Sequence, residues 1–228
     1  MDYKQFDSLC RELIIAYKKI TDEACYTTET KATEAMVLNL EKELQVKLPG
    51  PVRSFFTDYT AGAEMRVFLP DEFCDKLPGE FEEIFSACFI LSINEMKEAE
   101  ISRRFWIETC FADEENEYDR VWYNKLGLMT VETGDIIALD IGADPENPPV
   151  VYLSHDGGEA HGYVLGKDFE SYILNLVKAG ACGQEDWQMM PFMEDKESGI
   201  DPDCENAEAF RRIIGFDIID LADSDDTV

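Results

Sequence analysis

Basic residues are scarce in this chain: 20 Lys and Arg stand against 49 Asp and Glu, a formal net charge of −29 at pH 7. The longest basic runs are the pairs Lys18-Lys19, Arg103-Arg104 and Arg211-Arg212. Nucleic-acid binding needs a basic stripe to neutralise phosphates, so direct nucleic-acid binding is excluded. Long apolar runs are missing as well. None approaches the roughly 18 residues needed to cross a bilayer, and the opening MDYKQFDSLCREL does not lead a charged segment into an apolar block. No membrane partner is expected, and the compartment expected is the cytoplasm.

Catalytic and metal-binding patterns are equally thin. The seven cysteines are odd in number and form no CxxC pair, which fits reduced packing residues in apolar surroundings. There is no GxSxG elbow for a nucleophile, no GxGxxG or GxxxxGK[ST] to cradle phosphate, and no HExxH. Cys182 has no histidine near it in sequence. The only two histidines, His155 and His161, lie in Ser154-His155-Asp156-Gly157-Gly158-Glu159-Ala160-His161 with the carboxylates Asp156 and Glu159 between them. That is the nearest approach to a metal or acid–base cluster. Asp156-Gly157-Gly158 reads instead as a turn, with the histidines bonding across its ends. No cofactor, no metal and no enzymatic activity are expected.

What is present is a substantial apolar complement, 45% hydrophobic and 11% aromatic, enough for one large core. Phe6, Leu9, Cys10, Leu13, Ile14, Tyr17 and Ile20 recur at helical spacing. After a polar break at Thr21 to Thr30, Met36, Val37, Leu40 and Leu44 mark a second helix. Val52, Phe55, Phe56 and Tyr59 mark a third beyond the Leu48-Pro49 corner, with Phe55 and Phe56 assigned to the core. Strands are expected at Arg66 to Leu69, Phe85 to Ile93, Val121 to Tyr123, Leu128 to Val131, Ile136 to Ile141 and Val150 to Leu153. Asn94 is the expected N-cap of a helix to Arg103, and further helices are expected from Asp168 to Gly180 and at Ala207 to Ile214. Trp106, Trp122 and Trp187 read mainly as core. The class is α+β: one domain over residues 1–221, an antiparallel meander packed with leading and following helices, then an acidic tail over 222–228.

The order helix, Leu-Pro, short helix, Phe-Phe-x-x-Tyr-x-x-Gly, strand meander and Phe-x-x-Tyr-Ile-Leu helix resembles the SMI1/KNR4 family, also called the SUKH superfamily. More specific are Gly134-Asp135-Ile136-Ile137-Ala138-Leu139-Asp140, Pro149-Val150-Val151-Tyr152-Leu153-Ser154-His155-Asp156 and the run from His161 to Phe169, continued by Gly183-Gln184-Glu185-Asp186-Trp187. The resemblance spans Thr30 to Arg212, with residues 1–29 as a lead-in. The chain departs from the pattern at Tyr59-Thr60-Ala61-Gly62, where many members have Asn-Gly or Gly-Gly, and in an extra segment, Pro70 to Phe85. The resemblance implies a non-enzymatic binding protein. Bacterial members are mostly immunity proteins that neutralise a toxin domain, often a nuclease; fungal members are regulatory interaction hubs.

Charge and resemblance together point to a basic protein partner, since opposite fields speed encounter. The alternative for the charge is solubility alone. The acidic run Asp113, Glu114, Glu115 and Glu117, followed by Trp122 and Tyr123, reads as a steering rim beside aromatic anchors. With the histidine turn, His155, Asp156, Glu159 and His161, it forms the expected partner surface. Two functions follow: an immunity protein whose acidic loops stand in for the phosphates a toxin's basic groove expects, or a regulatory scaffold.

Overall fold

Asp2 starts the first helix: in the computed structural model, which describes residues 1–218, its carboxylate accepts from the Lys4 and Gln5 amides at 2.9 and 3.3 Å. The acidic tail over 222–228 lies outside the described residues. Helix α1 (Tyr3–Tyr17) buries its apolar stripe, and Tyr17 Oη donates to the Gly180 carbonyl at 2.6 Å, tying the front of the chain to the end of a later helix. The segment expected to be a polar break contains strand β1 (Ala24–Thr28). It pairs on one side only and exposes most of its residues, so it carries no alternating apolar signature.

Helix α2 (Glu34–Leu44) and helix α3 (Gly50–Ser54) meet at the proline corner, and a π-turn over Phe55–Tyr59 follows. Glu41 holds the corner shut, accepting from the Leu48 amide at 3.0 Å and from Arg53 Nη1 at 2.9 Å. The corner presents Phe55 and Phe56 inward, both essentially without solvent contact. The departure at Thr60 also has a structural use. Its buried hydroxyl bonds the Glu29 amide and carbonyl and the Gly62 amide and carbonyl, stitching β1 to strand β2 (Gly62–Phe68).

The extra segment holds helix α4 (Asp71–Cys74) and a 3-10 turn at Gly79–Phe81. Strand β3 (Ser86–Ser92) completes an antiparallel sheet of order β1-β2-β3. Helix α5 (Ile93–Thr109) is capped by Ser92 rather than Asn94, the Ser92 hydroxyl accepting from the Glu95 amide at 3.0 Å. Val121 to Tyr123 is not a strand: a 3-10 turn covers Asp119–Trp122. Strands β4 (Leu126–Thr130), β5 (Ile136–Leu139), β6 (Val150–Leu153) and β7 (Val164–Gly166) form a second antiparallel sheet in sequence order. The meander is there, and the earlier strands form a sheet of their own beside it. Helices α6 (Phe169–Lys178), α7 (Asp186–Met189) and α8 (Glu205–Ile214) follow.

Helix α5 leaves the first sheet and packs on the second. A side chain at Gly127 would come within 2.5 Å of the Ala99 and Glu100 backbone, so only glycine lets β4 approach the helix this closely. The buried Glu100 carboxylate makes the join, accepting from the Gly127 amide at 2.9 Å, from Arg103 at 2.8 Å through both oxygens and from Arg104 Nε at 2.7 Å. Burial alone would raise the Glu100 carboxyl; the arginine pairs outweigh it and hold the group below its ordinary value. Two further expectations need correction. Cys25 and Cys110 are exposed rather than packed, and Trp187 is 42% exposed. No helix among the described residues is long and apolar enough to cross a membrane.

Candidate functional site

The acidic loop is a fixed structure. Asn116 Oδ1 accepts from the Tyr118 and Asp119 amides at 2.8 and 3.2 Å, and Asp113 Oδ1 from the Glu115 amide at 3.1 Å. Tyr118 then pins the loop to the histidine turn, donating its hydroxyl to the Ser154 carbonyl at 2.5 Å and accepting from the Gly157 amide at 3.0 Å. Tyr123 Oη donates to the Phe111 carbonyl at 3.1 Å and closes the loop's base. Asp113, Glu114, Glu115 and Glu117 are left exposed, and among the described residues none of the four meets a cation.

His161 sits beneath the loop with both ring nitrogens committed. The Ser154 amide donates to Nδ1 at 3.0 Å, so the proton is on Nε2, which faces the Tyr118 carbonyl at 3.0 Å. Burial holds this imidazole below its ordinary pKa, keeping it neutral. Trp122 is also underneath, fully buried and stacked on Phe111 at 4.9 Å, its indole N–H without a partner. Trp122 is therefore removed from the expected partner surface. It follows the acidic loop in sequence, but the 3-10 turn swings its ring inward, and Arg103 Nη1 holds its carbonyl at 2.6 Å. Tyr123 remains half-exposed, and Asp156 and Glu159 are exposed on the histidine turn.

His155 has a different setting. The buried Asp135 carboxylate accepts from the His155 amide at 2.7 Å and from Tyr152 Oη at 2.8 Å, and lies 2.6 Å from His155 Nδ1. Trp106 stacks on the imidazole at 4.6 Å and anchors itself by donating Nε1–H to the Gly134 carbonyl at 3.0 Å. Asp135, His155 and Asp156 bring three ligand atoms within 4.8 Å of one another, the one such group among the described residues. Each is already used within the protein: Asp135 as above, and Asp156 Oδ1 by the Ser154 hydroxyl at 2.9 Å. A cation there would compete with these bonds for Asp135, Asp156 Oδ1 and His155 Nδ1. Nor is any hydroxyl or thiol among the described residues hydrogen-bonded to His155 Nε2, as an acid–base pair acting on a nucleophile requires. The arrangement offers an aromatic face, fixed hydrogen-bonding groups and clustered negative charge, which suit contact with another molecule.

The structure thus joins the acidic loop and the histidine turn, which are separate in sequence. It adds Trp106, Tyr118 and Asp135, which lie outside the expected partner surface. In sequence Asp135 stands only within the run Gly134 to Asp140 that carries the family resemblance, and its role depends on Tyr152 of the neighbouring strand.

Fold and site together define an α+β domain with two antiparallel sheets and a surface suited to binding. Residues 31–175 match the SMI1 / KNR4 family (SUKH-1), and the chain belongs to that family. The match runs from the lead into α2 as far as α6, and covers the corner, strands β2 to β7 and the candidate site, with α1 and β1 preceding it. A search of curated proteins finds no match to the chain.

Proposed function

We propose that this protein is a non-enzymatic immunity protein of the cytoplasm that binds and neutralises a polymorphic toxin domain, with a nuclease the toxin class its charge suits. The observation that carries the reading is the loop itself: four exposed, uncompensated carboxylates on a backbone pinned by Tyr118 and Tyr123. A pre-ordered acidic loop loses little conformational entropy on binding. It also sets a field that attracts a basic nucleic-acid groove. Tyr123, His155, Asp156, Glu159 and His161 flank it, the histidines contributing mainly by holding the turn. The family membership supports a binding role, and the commitment of both His161 nitrogens takes that histidine out of acid–base chemistry.

The test is co-expression with a toxin domain encoded beside this protein's gene. Restored growth and co-purification of the two chains are expected. A toxin whose lethality is untouched, with no complex formed, would overturn the reading and leave a regulatory scaffold as the account of the family membership.

A further inference from the structure

A second feature lies away from the acidic loop, on the outward face of the β1-β2-β3 sheet. Cys25, Arg66 and Cys88 form one row across its three strands. Beside this row is a cavity of about 240 Å³, closed on its far side by Glu132 and by the segment from Gln184 to Gln188. Its rim is apolar: Phe68 and Phe85 are each 44% exposed. Its floor is polar and under-used. The Gln184 side chain is 6% exposed, yet its Nε2 meets only Met129 Sδ at 3.0 Å and its Oε1 only Cys88 Sγ at 3.4 Å. Sulfur is a weak partner for an amide, which can make up to four hydrogen bonds.

Charge decides what could occupy this space. The one cation lining the cavity, Arg66, is already paired with Glu64 on the same strand. Glu132 and Glu185 line it too, and among the described residues neither meets a cation. Burial pushes the Glu185 carboxyl up against the opposing effect of the Thr133 hydroxyl, which donates to it at 3.0 Å. An incoming anion would meet uncompensated carboxylates, and a purely apolar group would leave the Gln184 amide unsatisfied.

We propose that this cavity receives a lysine or arginine side chain of a protein partner, its aliphatic stem between Phe68 and Phe85 and its cationic head on Glu185, Glu132 and the Gln184 carbonyl oxygen. Long basic side chains suit such a site, with methylenes that cover apolar surface and a head that donates to carboxylates. The proposal rests on the protein-binding reading above for the source of the side chain. It gives the partner a second contact, distinct from the acidic loop.

The test needs no toxin, so its outcome is separate from that of the immunity reading. The full chain, labelled with ¹⁵N, is titrated with the Nα-acetyl N-methylamides of lysine, arginine and, as the neutral counterpart, norleucine. Saturable shifts of the Gln184 side-chain amide and the Cys88 backbone amide are expected with lysine and arginine, with norleucine weaker by about tenfold or more. Glu132→Gln, on an exposed turn, and Glu185→Gln should each weaken the basic ligands and leave norleucine unchanged; an unchanged amide spectrum elsewhere shows that each variant folds. Norleucine binding as well as lysine, or no saturable shift at Gln184 and Cys88, would overturn the proposal.

Discussion

Tyr118 lies flat on His161, their ring centroids 3.8 Å apart and their planes 15° from parallel. The same two residues are joined through the Tyr118 carbonyl and His161 Nε2, so the acidic loop depends on an imidazole that is neutral in the folded state.

A pH dependence follows. The folded His161 titrates below its ordinary value because it is buried, whereas the unfolded chain takes up the proton near about pH 6.5. Between the two, the unfolded state binds more protons. The stability from this group is complete above the unfolded pKa and is lost as pH falls from there through the folded one. Thermal unfolding of the wild type should therefore weaken between about pH 7.5 and pH 5.5 more than that of His161→Gln, which has no such titration. Parallel curves would show that His161 is not held neutral.

The join between α5 and β4 should fail in two ways. Glu100→Gln leaves Arg103 buried against a neutral amide and should cost about 3–5 kcal/mol. Gly127→Ala drives a methyl into the helix backbone and should cost about 1–3 kcal/mol. Denaturant unfolding measures both. The Glu100 carboxyl is depressed, so its contribution is present above the ordinary carboxylate range and is lost as pH falls through the folded pKa. That window lies below the His161 window, so the two groups can be told apart in one pH series.

Phe55 meets Tyr3, Phe56, Tyr59 and Phe169, with ring centroids 5.4–6.2 Å apart. Phe55→Ala should cost about 3–5 kcal/mol, because the ring is fully buried and rigid neighbours leave a cavity behind it. A loss under about 1 kcal/mol would mean that the corner collapses around the gap.

Phe55 and Phe56 were legible in sequence because helical spacing and the Leu-Pro corner left them one direction to face. The β4-to-β6 meander was legible because its strands are apolar runs bounded by turn residues. Strand β1 was not, since Cys25, Thr27 and Thr28 face solvent on a strand paired on one side only. Trp122 misled for a related reason: local sequence shows that an aromatic follows an acidic run, but the 3-10 turn and the Arg103 contact decide which way the ring points. The Asp135–His155–Trp106 group joins three segments that only the packing of α5 on the second sheet brings together. No local pattern could reveal it.

The most direct test of a charge-steered binding surface is stopped-flow association with the toxin domain at low and high salt. Reversing Asp113, Glu114, Glu115 and Glu117 to Lys should leave thermal unfolding nearly unchanged, because exposed charges add little to stability. The wild-type association rate should fall steeply as added salt shortens the screening length to about 8 Å at physiological strength, and the reversed loop should associate slowly at every salt concentration. Association that ignores both salt and the reversal would contradict the account and leave the negative charge to solubility alone.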